Sequence, residues 1–147
     1  MKKVLFLAML WVSQIAVSQI SFNTGSVEFD NNLNTINAEA KVNIAGFDAT
    51  LKADYNISSK EITHLRVDVG MQPAEIYMLC EVSKLSGKSI SEVETSYVKN
   101  KGKGWGVIAK EMGIKPGSAE FHAMKNKAKN KSSKGKGGNG KAKGKKK

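Results

Sequence analysis

The residues that could act as nucleophiles or bases are few and lie far apart in the sequence. Cys80 is the only cysteine, so an intramolecular disulfide is impossible, and its apolar surroundings are typical of a small buried side chain. A catalytic thiol needs a nearby base, and neither of the two histidines, His64 and His122, has a second ligand at metal-site spacing. No G-x-S-x-G motif occurs. The sequence therefore predicts no catalytic residue, no metal site, no cofactor and no enzyme.

Two short motifs resemble ligand-binding loops but depart from them at essential positions. Gly87-Lys88-Ser89 matches the end of a phosphate-binding loop, but Val82 stands where that loop needs a glycine. The run from Asp30 to Asn34 resembles the start of a calcium loop, but the glycine and the glutamate required further on are absent. We therefore expect neither motif to bind a ligand.

Positive charge is concentrated at the C-terminal end of the chain. The net charge is +11; residues 125–147 contain eleven lysines and no acid, whereas residues 1–124 contain thirteen basic and thirteen acidic residues. Lysines without aromatic residues can neutralise an anionic polymer or lipid surface but cannot read bases, so no specific nucleic acid is expected. The alternative is that these lysines only keep the protein soluble. The candidate polyanion-binding residues are Lys125, Lys127, Lys129, Lys131, Lys134, Lys136, Lys141, Lys143, Lys145, Lys146 and Lys147.

The N-terminal residues have the three parts of a secretory signal peptide. Lys2 and Lys3 precede an apolar run over residues 4–12, and Ala16-Val17-Ser18 supplies small residues before Gln19. Nine apolar residues cannot cross about 30 Å of hydrocarbon. We expect a signal peptide over residues 1–18, export to the periplasm or the extracellular space, and no transmembrane segment after cleavage.

Residues 19–70 alternate between apolar and polar side chains. The alternation runs over residues 36–44, 47–57 and 65–69, and Ala45-Gly46 lies between the first two runs, where a hairpin turn would fit. A predicted turn at Ser58-Ser59-Lys60 separates the second run from the third. Val27 and Phe29 suggest a shorter first strand. This pattern predicts an antiparallel β-meander of three or four strands.

From residue 71 the apolar period changes to that of helices. Pro73 suits a first helical turn, and the segment that ends at Gly87 is apolar on most sides, as a central buried helix would be. Ser89 and Glu92 form the capping box of the next helix. The sequence thus predicts a helical segment over residues 71–128.

The stretch around Trp105 predicts a helix, a turn and a second helix. Gly113 suits the end of the first helix, and Ser118 suits the cap of the second. We expect Trp105 to be buried against Tyr97, Ile108 and Phe121. The predicted structural core of this part is Trp105, Ile108, Met112 and Phe121.

The expected fold class is therefore α+β: a small antiparallel β-meander followed by a compact bundle of about four short helices. Residues 129–147 are rich in lysine and glycine and have no apolar residue larger than alanine. Such a segment cannot bury enough surface to offset its ordering entropy, so we expect a disordered basic tail.

Two resemblances extend this interpretation. Residues 107–114, with Phe121 seven positions beyond, resemble the I-A-x-x-L-G-I core of DNA-binding helix-turn-helix motifs. The second helix of that motif carries the residues that recognise DNA, but here it begins with residues 118–120, Ser-Ala-Glu, without Arg, Asn or Gln.

Residues 105–122 (WGVIAKEMGIKPGSAEFH), with the signal peptide and the Gly/Lys tail, resemble a group of small exported bacterial proteins of unknown function. That resemblance implies a compartment and a fold, but no activity.

The function expected from these observations is that of an exported, non-enzymatic binding or envelope-associated module whose lysine-rich tail contacts anionic surfaces or polymers. The alternatives are a helix-turn-helix nucleic-acid-binding protein and a small hydrolase-type enzyme.

Overall fold

The structure, a computed structural model, describes residues 20–135. Within this range the chain forms helices and no strand, so the predicted α+β class and the β-meander over residues 19–70 are wrong. The predicted signal peptide, residues 1–18, and the tail from residue 136 lie outside the described residues. The helices are α1 (Val27–Val42), α2 (Ile44–Tyr55), α3 (Ser59–Val67), α4 (Pro73–Ser86), α5 (Ile90–Lys99), α6 (Trp105–Glu111) and α7 (Ala119–Gly135).

The packing of helix α1 shows why the alternation of apolar and polar residues wrongly predicted a strand. Ser26 caps the helix by accepting a hydrogen bond from the Phe29 N–H. The buried residues recur at helical spacing, whereas Ala38 and Val42, which completed the alternating pattern, are exposed. Alanine is weakly apolar and the best helix former, so alternation that depends on it carries little information about strands. The buried face consists of Phe29, Leu33, Ile36, Asn37 and Ala40.

Helices α2 and α3 begin at polar caps where we expected turns between strands. The Asn43 side chain accepts a hydrogen bond from the Gly46 N–H, so Ala45-Gly46 lies in the first turn of α2 and not in a hairpin. Asn56 ends α2 in the left-handed conformation. Ser58 and Glu61 then form a capping box that starts α3.

Helix α4 lies at the centre and packs against α1, α2, α3, α5 and α7. It has the predicted bounds: Pro73 occupies the first turn, and Gly87 follows the helix in the left-handed conformation. Nearly every residue from Pro73 to Val82 is buried, including the carboxylate-bearing Glu81. A buried carboxylate requires a partner, and that partner comes from α7.

Helices α5 and α6 are joined by a polar cluster. The Glu111 carboxylate, at the end of α6, accepts hydrogen bonds from the Ser96 hydroxyl (2.8 Å) and the Asn100 amide, and it pairs with the Lys99 ammonium (2.7 Å). Ser96 and Asn100 are buried. Each polar group that the α5–α6 contact covers in this cluster thereby has a partner.

The segment before α1 crosses the start of α6. The Trp105 N–H donates to the Phe22 carbonyl (2.8 Å) and the Gly106 N–H donates to the Asn23 carbonyl (3.0 Å), so two of the unpaired amides that begin a helix are satisfied by backbone. The approach is too close for a side chain at Gly104, where a Cβ atom would stand 2.3 Å from the Asn23 Cβ. Phe22 is fully buried beneath this crossing.

Helix α7 packs along α1 and is longer than predicted. Met124, Ala128 and Ser132 are buried at a spacing of four residues, and the Ser132 hydroxyl donates to the Asn32 side-chain oxygen (3.0 Å). Residues 129–135 therefore belong to this helix, which continues beyond the boundary at residue 128 expected for the helical segment. The reason is that α1 offers a face against which small residues suffice.

Candidate functional site

A groove of about 540 Å³ is bounded by α1, α2, α4 and α7. We call it the aromatic groove, because it is lined by the rings of Phe47, Tyr55 and Tyr77. Its apolar wall continues through Ile36 and Ala40 of α1. On the α7 side the lining residues include Lys127, Lys131 and Lys134.

The spacing of these residues along their helices brings their side chains to the groove. Phe47 and Tyr55 lie eight residues apart on α2, and Tyr77 lies one turn before Glu81 on α4. The three lysines fall at positions i, i+4 and i+7 of α7, so they share one face of that helix. The groove therefore combines an aromatic surface with a row of ammonium groups.

A buried carboxylate lies under one end of the groove. Glu81 is only 1% exposed, and it accepts a hydrogen bond from the Tyr55 hydroxyl and pairs with the Lys127 ammonium. Lys127 also lies 4.7 Å from the centroid of the Tyr55 ring. Burial, followed by the Glu81 carboxylate, raises the pKa of Tyr55, so this phenol stays protonated and remains a donor.

The other end of the groove holds a lysine of a different kind. The Lys131 Nζ lies 5.4 Å from the Phe47 ring centroid and 5.7 Å from that of Tyr77, and no ion pair within residues 20–135 includes it. Burial lowers the pKa of Lys131. The Tyr77 hydroxyl, on a side chain 1% exposed, has no hydrogen-bond partner among the described residues.

The lysines predicted to bind polyanions divide into three groups. Lys125 and Lys129 pair with the Glu28 carboxylate of α1, at 2.8 and 3.2 Å, and Lys127 pairs with Glu81. Lys131 and Lys134 line the aromatic groove. The remaining six predicted residues, Lys136, Lys141, Lys143, Lys145, Lys146 and Lys147, lie outside the described part of the chain.

The pairs with Glu28 and Glu81 reduce the positive charge that α7 presents to a partner. The Lys125 and Lys129 ammonium groups also lower the pKa of Glu28, as expected for a carboxylate that pairs with two cations. These lysines attach α7 to the body of the molecule, a role that composition alone did not indicate.

The predicted core residues around Trp105 are buried to different extents. Trp105 and Ile108 are buried, and Trp105 lies with its ring centroid 5.6 Å from that of Tyr97. Met112 and Phe121 are half-buried. Phe121 packs edge-on against Phe29 of α1, with ring centroids 6.0 Å apart, so it serves the α1–α7 contact.

Two groups considered for catalysis, Cys80 and His64, are buried or engaged by other side chains of the fold. Burial raises the pKa of the Cys80 thiol to about 12, which leaves it protonated and unreactive at neutral pH. His64 bridges Asp68 (2.8 Å) and Glu94 (2.9 Å) through its two ring nitrogens, so the carboxylates lie at opposite edges of the ring and do not converge. Among residues 20–135 no cluster of three or more His, Cys, Asp or Glu side chains could hold a metal ion.

The rejected loop motifs also have structural roles. Within α1, Asp30 accepts from the Thr24 hydroxyl, and the Asn34 amide pairs with both backbone groups of Ile20. Gly87 ends α4, and Ser89 caps α5. These positions are thus occupied by contacts of the fold itself.

The aromatic groove was missed from the sequence, although one signal for it was present. Glu81 stands between Cys80 and Val82 in the apolar stretch of α4, and a charge in such a stretch implies a partner from elsewhere. Tyr77, one turn earlier, marks the same face. The partners themselves, Tyr55 and Lys127, lie 26 and 46 residues away from Glu81 and could not be paired by spacing.

Comparison with protein-family models, with curated proteins and with solved structures found no match. None of the helices within residues 20–135 is both long enough and apolar enough to cross a membrane.

Proposed function

We propose that this protein is an exported, non-enzymatic binding protein whose lysine-rich C-terminal end contacts anionic polymers or surfaces. The observation that carries the proposal is where the charge lies. Residues 136–147 contain six lysines and no acid, whereas all thirteen acidic residues of the chain lie between residues 20 and 135. Basic residues concentrated at one end favour binding by counterion release, without base recognition.

The contacts of α7 support a narrower version of this proposal. Lys125, Lys127 and Lys129 are paired with carboxylates of the body, so binding a polyanion there would first require those pairs to be broken. We therefore assign the main contact to the six lysines beyond Gly135, with Lys134 next to them.

The nucleic-acid alternative gains less support. In a helix-turn-helix protein, the second helix inserts its N-terminal residues into the major groove. Here that helix would be α7, which begins with Ala119 and the acidic Glu120 and lies along α1. A negative charge at the N-terminal end of this helix would repel the phosphates of DNA.

The experiment is a salt titration of binding to heparin, duplex DNA and anionic lipid vesicles. One variant replaces the six lysines beyond Gly135 with Gln. The matched control replaces six exposed lysines of the body and removes the same charge: Lys41, Lys60, Lys101, Lys103, Lys110 and Lys115.

We expect the C-terminal variant to lose most of its affinity for all three polyanions, and its salt dependence to become shallower. The control should retain most of the affinity. The proposal fails if the control loses binding while the C-terminal variant keeps it, and sequence-selective binding to DNA would establish the helix-turn-helix alternative.

Export is tested separately. Mass spectrometry of protein recovered from the envelope or the medium should show a chain that begins at or near Gln19. Recovery of the intact Met1 form mainly from the cytosol would contradict the proposed location.

A further inference from the structure

The aromatic groove has two hydrogen-bond donors that the fold does not use. Lys131 holds its ammonium group over the Phe47 and Tyr77 rings, and none of the carboxylates in the described residues lies within ion-pair distance of it. The Tyr77 hydroxyl is buried near the Tyr55 side chain, but no acceptor among those residues lies in hydrogen-bonding geometry with it. Burying a polar group without a partner is unfavourable, so both donors would gain from an acceptor placed between them.

The walls around these donors determine what else the ligand must carry. Phe47, Ile36 and Ala40 form an apolar surface beside them. The volume, about 540 Å³, lies within the range of pockets for small molecules. An anionic group held by the donors could therefore extend an apolar body along α1 and α2.

The charges that line the groove favour an anionic group only close to the lysines. Glu39 and Asp54 also line the groove and act on Lys131, so they would repel any anionic group held away from the ammonium groups. A cationic ligand would meet ring faces already occupied by the ammonium groups of Lys127 and Lys131. The groove thus favours a single negative charge over a polyanion or an amine.

We propose that the aromatic groove binds a small organic monocarboxylate with an apolar body. Lys131 pairs with the carboxylate, and the Tyr77 hydroxyl donates a hydrogen bond to it. Phe47 and the apolar residues of α1 cover the rest of the ligand. This site is separate from the six lysines beyond Gly135, so the two binding activities can be tested independently.

The test is calorimetric titration of the full mature chain at about 0.15 M salt, where charges on the outer surface are largely screened. The ligands are octanoate, acetate, octylammonium and octanedioate. We expect octanoate to bind and the other three to bind at least about tenfold more weakly, because each lacks the apolar body, has the opposite charge or adds a second anion. Octylammonium or octanedioate binding as tightly as octanoate would overturn the proposal.

A monocarboxylate with an apolar body could be a free aliphatic acid or the C-terminus of an apolar peptide. N-acetyl-leucyl-leucine is therefore titrated beside octanoate. Tighter binding of one of the two identifies the source, and binding of either supports the carboxylate site. If neither binds at about 10 mM, the proposal is wrong.

Two variants separate binding from folding. Lys131→Gln should weaken octanoate binding about tenfold or more, whereas Lys60→Gln, on an exposed site of α3, should leave it unchanged. Tyr77→Phe removes only a hydroxyl without a partner, so it should weaken octanoate binding several-fold without lowering the melting temperature of the free protein. If both groove variants bind octanoate as the wild type does, the proposed site is excluded.

Discussion

The start of α6 and the whole of α7 both pack against the rest of the molecule, but through different interactions. At the start of α6 the contact is apolar and close: Trp105 is 2% exposed, Phe22 is buried beside it, and backbone groups bond directly. Along α7 the buried residues are mostly small, and charged side chains form much of the contact. The concavity beside the first contact is about 200 Å³, whereas the aromatic groove beside the second is about 540 Å³.

We therefore expect the contact at the start of α6 to contribute mainly to stability and the contact along α7 to contribute mainly to ligand binding. Close packing contributes most to the free energy of unfolding and leaves little room for a ligand. A contact made of long charged side chains leaves space between them, and those same groups can pair with a ligand. Substitutions in the two regions should therefore have different consequences.

The largest expected effect is that of Trp105→Ala. Removing a buried aromatic side chain of this size leaves a cavity, so the free energy of unfolding should fall by about 3–5 kcal/mol. Chemical denaturation measures the change. Val107→Ala, on the exposed side of the same helix (Val107 is 42% exposed), is the control and should change it by less than about 1 kcal/mol. Equal effects of the two substitutions would show that Trp105 does not anchor this region.

Next in size is Lys127→Met, which leaves the Glu81 carboxylate buried without its cation. Breaking a buried pair in this way costs about 3–5 kcal/mol, and we expect about 2–3 here because Tyr55 still donates to the carboxylate. Thermal and chemical unfolding provide the measurement. The control is Lys129→Met, which breaks a contact with the more exposed Glu28 and should have a clearly smaller effect. A reversed order would mean that Glu81 does not depend on α7.

A third comparison concerns Gly104 and Gly102. Both have positive φ angles, +93° and +88°, but a Cβ atom at Gly104 would meet Asn23 and one at Gly102 would meet nothing within 4 Å. Alanine at either position carries backbone strain, and only Gly104→Ala also displaces the segment before α1. The difference between the two free energies of unfolding should be about 1–3 kcal/mol. Equal losses would indicate that the segment can move away at no cost.

The smallest effect is a pH dependence in the α5–α6 contact. The Lys99 ammonium, then the Ser96 hydroxyl and the Asn100 amide, lower the pKa of Glu111 to about 2 from an ordinary value of 4.5. Because the folded pKa is the lower one, the carboxylate stabilises the fold above pH 4.5, and this contribution is lost as the pH falls toward 2.

Glu111→Gln should remove that part of the acid sensitivity, which is measured as the change of melting temperature between pH 6 and pH 2. Lys99→Gln is the matched test, since it should raise the pKa of Glu111 observed by NMR. A titration of Glu111 near pH 4.5 in the wild type would contradict the described contacts.

The part of the fold that was predictable is the part with clear end signals and a strong apolar pattern. Pro73 and Gly87 bracket α4, and residues between them are apolar nearly all round, so the helix could be placed correctly. Ser89 and Glu92 start α5 in the same way. Ser58 and Glu61 form an identical capping box, but we interpreted that stretch as a turn because Leu65, Val67 and Val69 alternate after it.

The burial of side chains in α3 shows whether the capping box or the alternation was the correct signal. Val67 is 68% exposed, and Ile62 and Leu65, three residues apart, form the buried face of α3. The capping residues were thus the better guide, and the alternation was accidental. The aromatic groove was harder to predict, because Tyr55, Tyr77 and Lys127 meet only once three helices have packed, and no spacing along the chain encodes that arrangement.

The contact between α1 and α7 also bears on when the chain can fold. The hydrogen bond from Ser132 to Asn32 joins residues 100 positions apart, so the part of α1 that α7 covers stays exposed until almost the whole described chain is available. Contacts this distant in sequence form slowly, because a long loop must close first. A chain that crosses a membrane in an extended state, N-terminus first, would therefore complete its fold only after α7 had emerged on the far side.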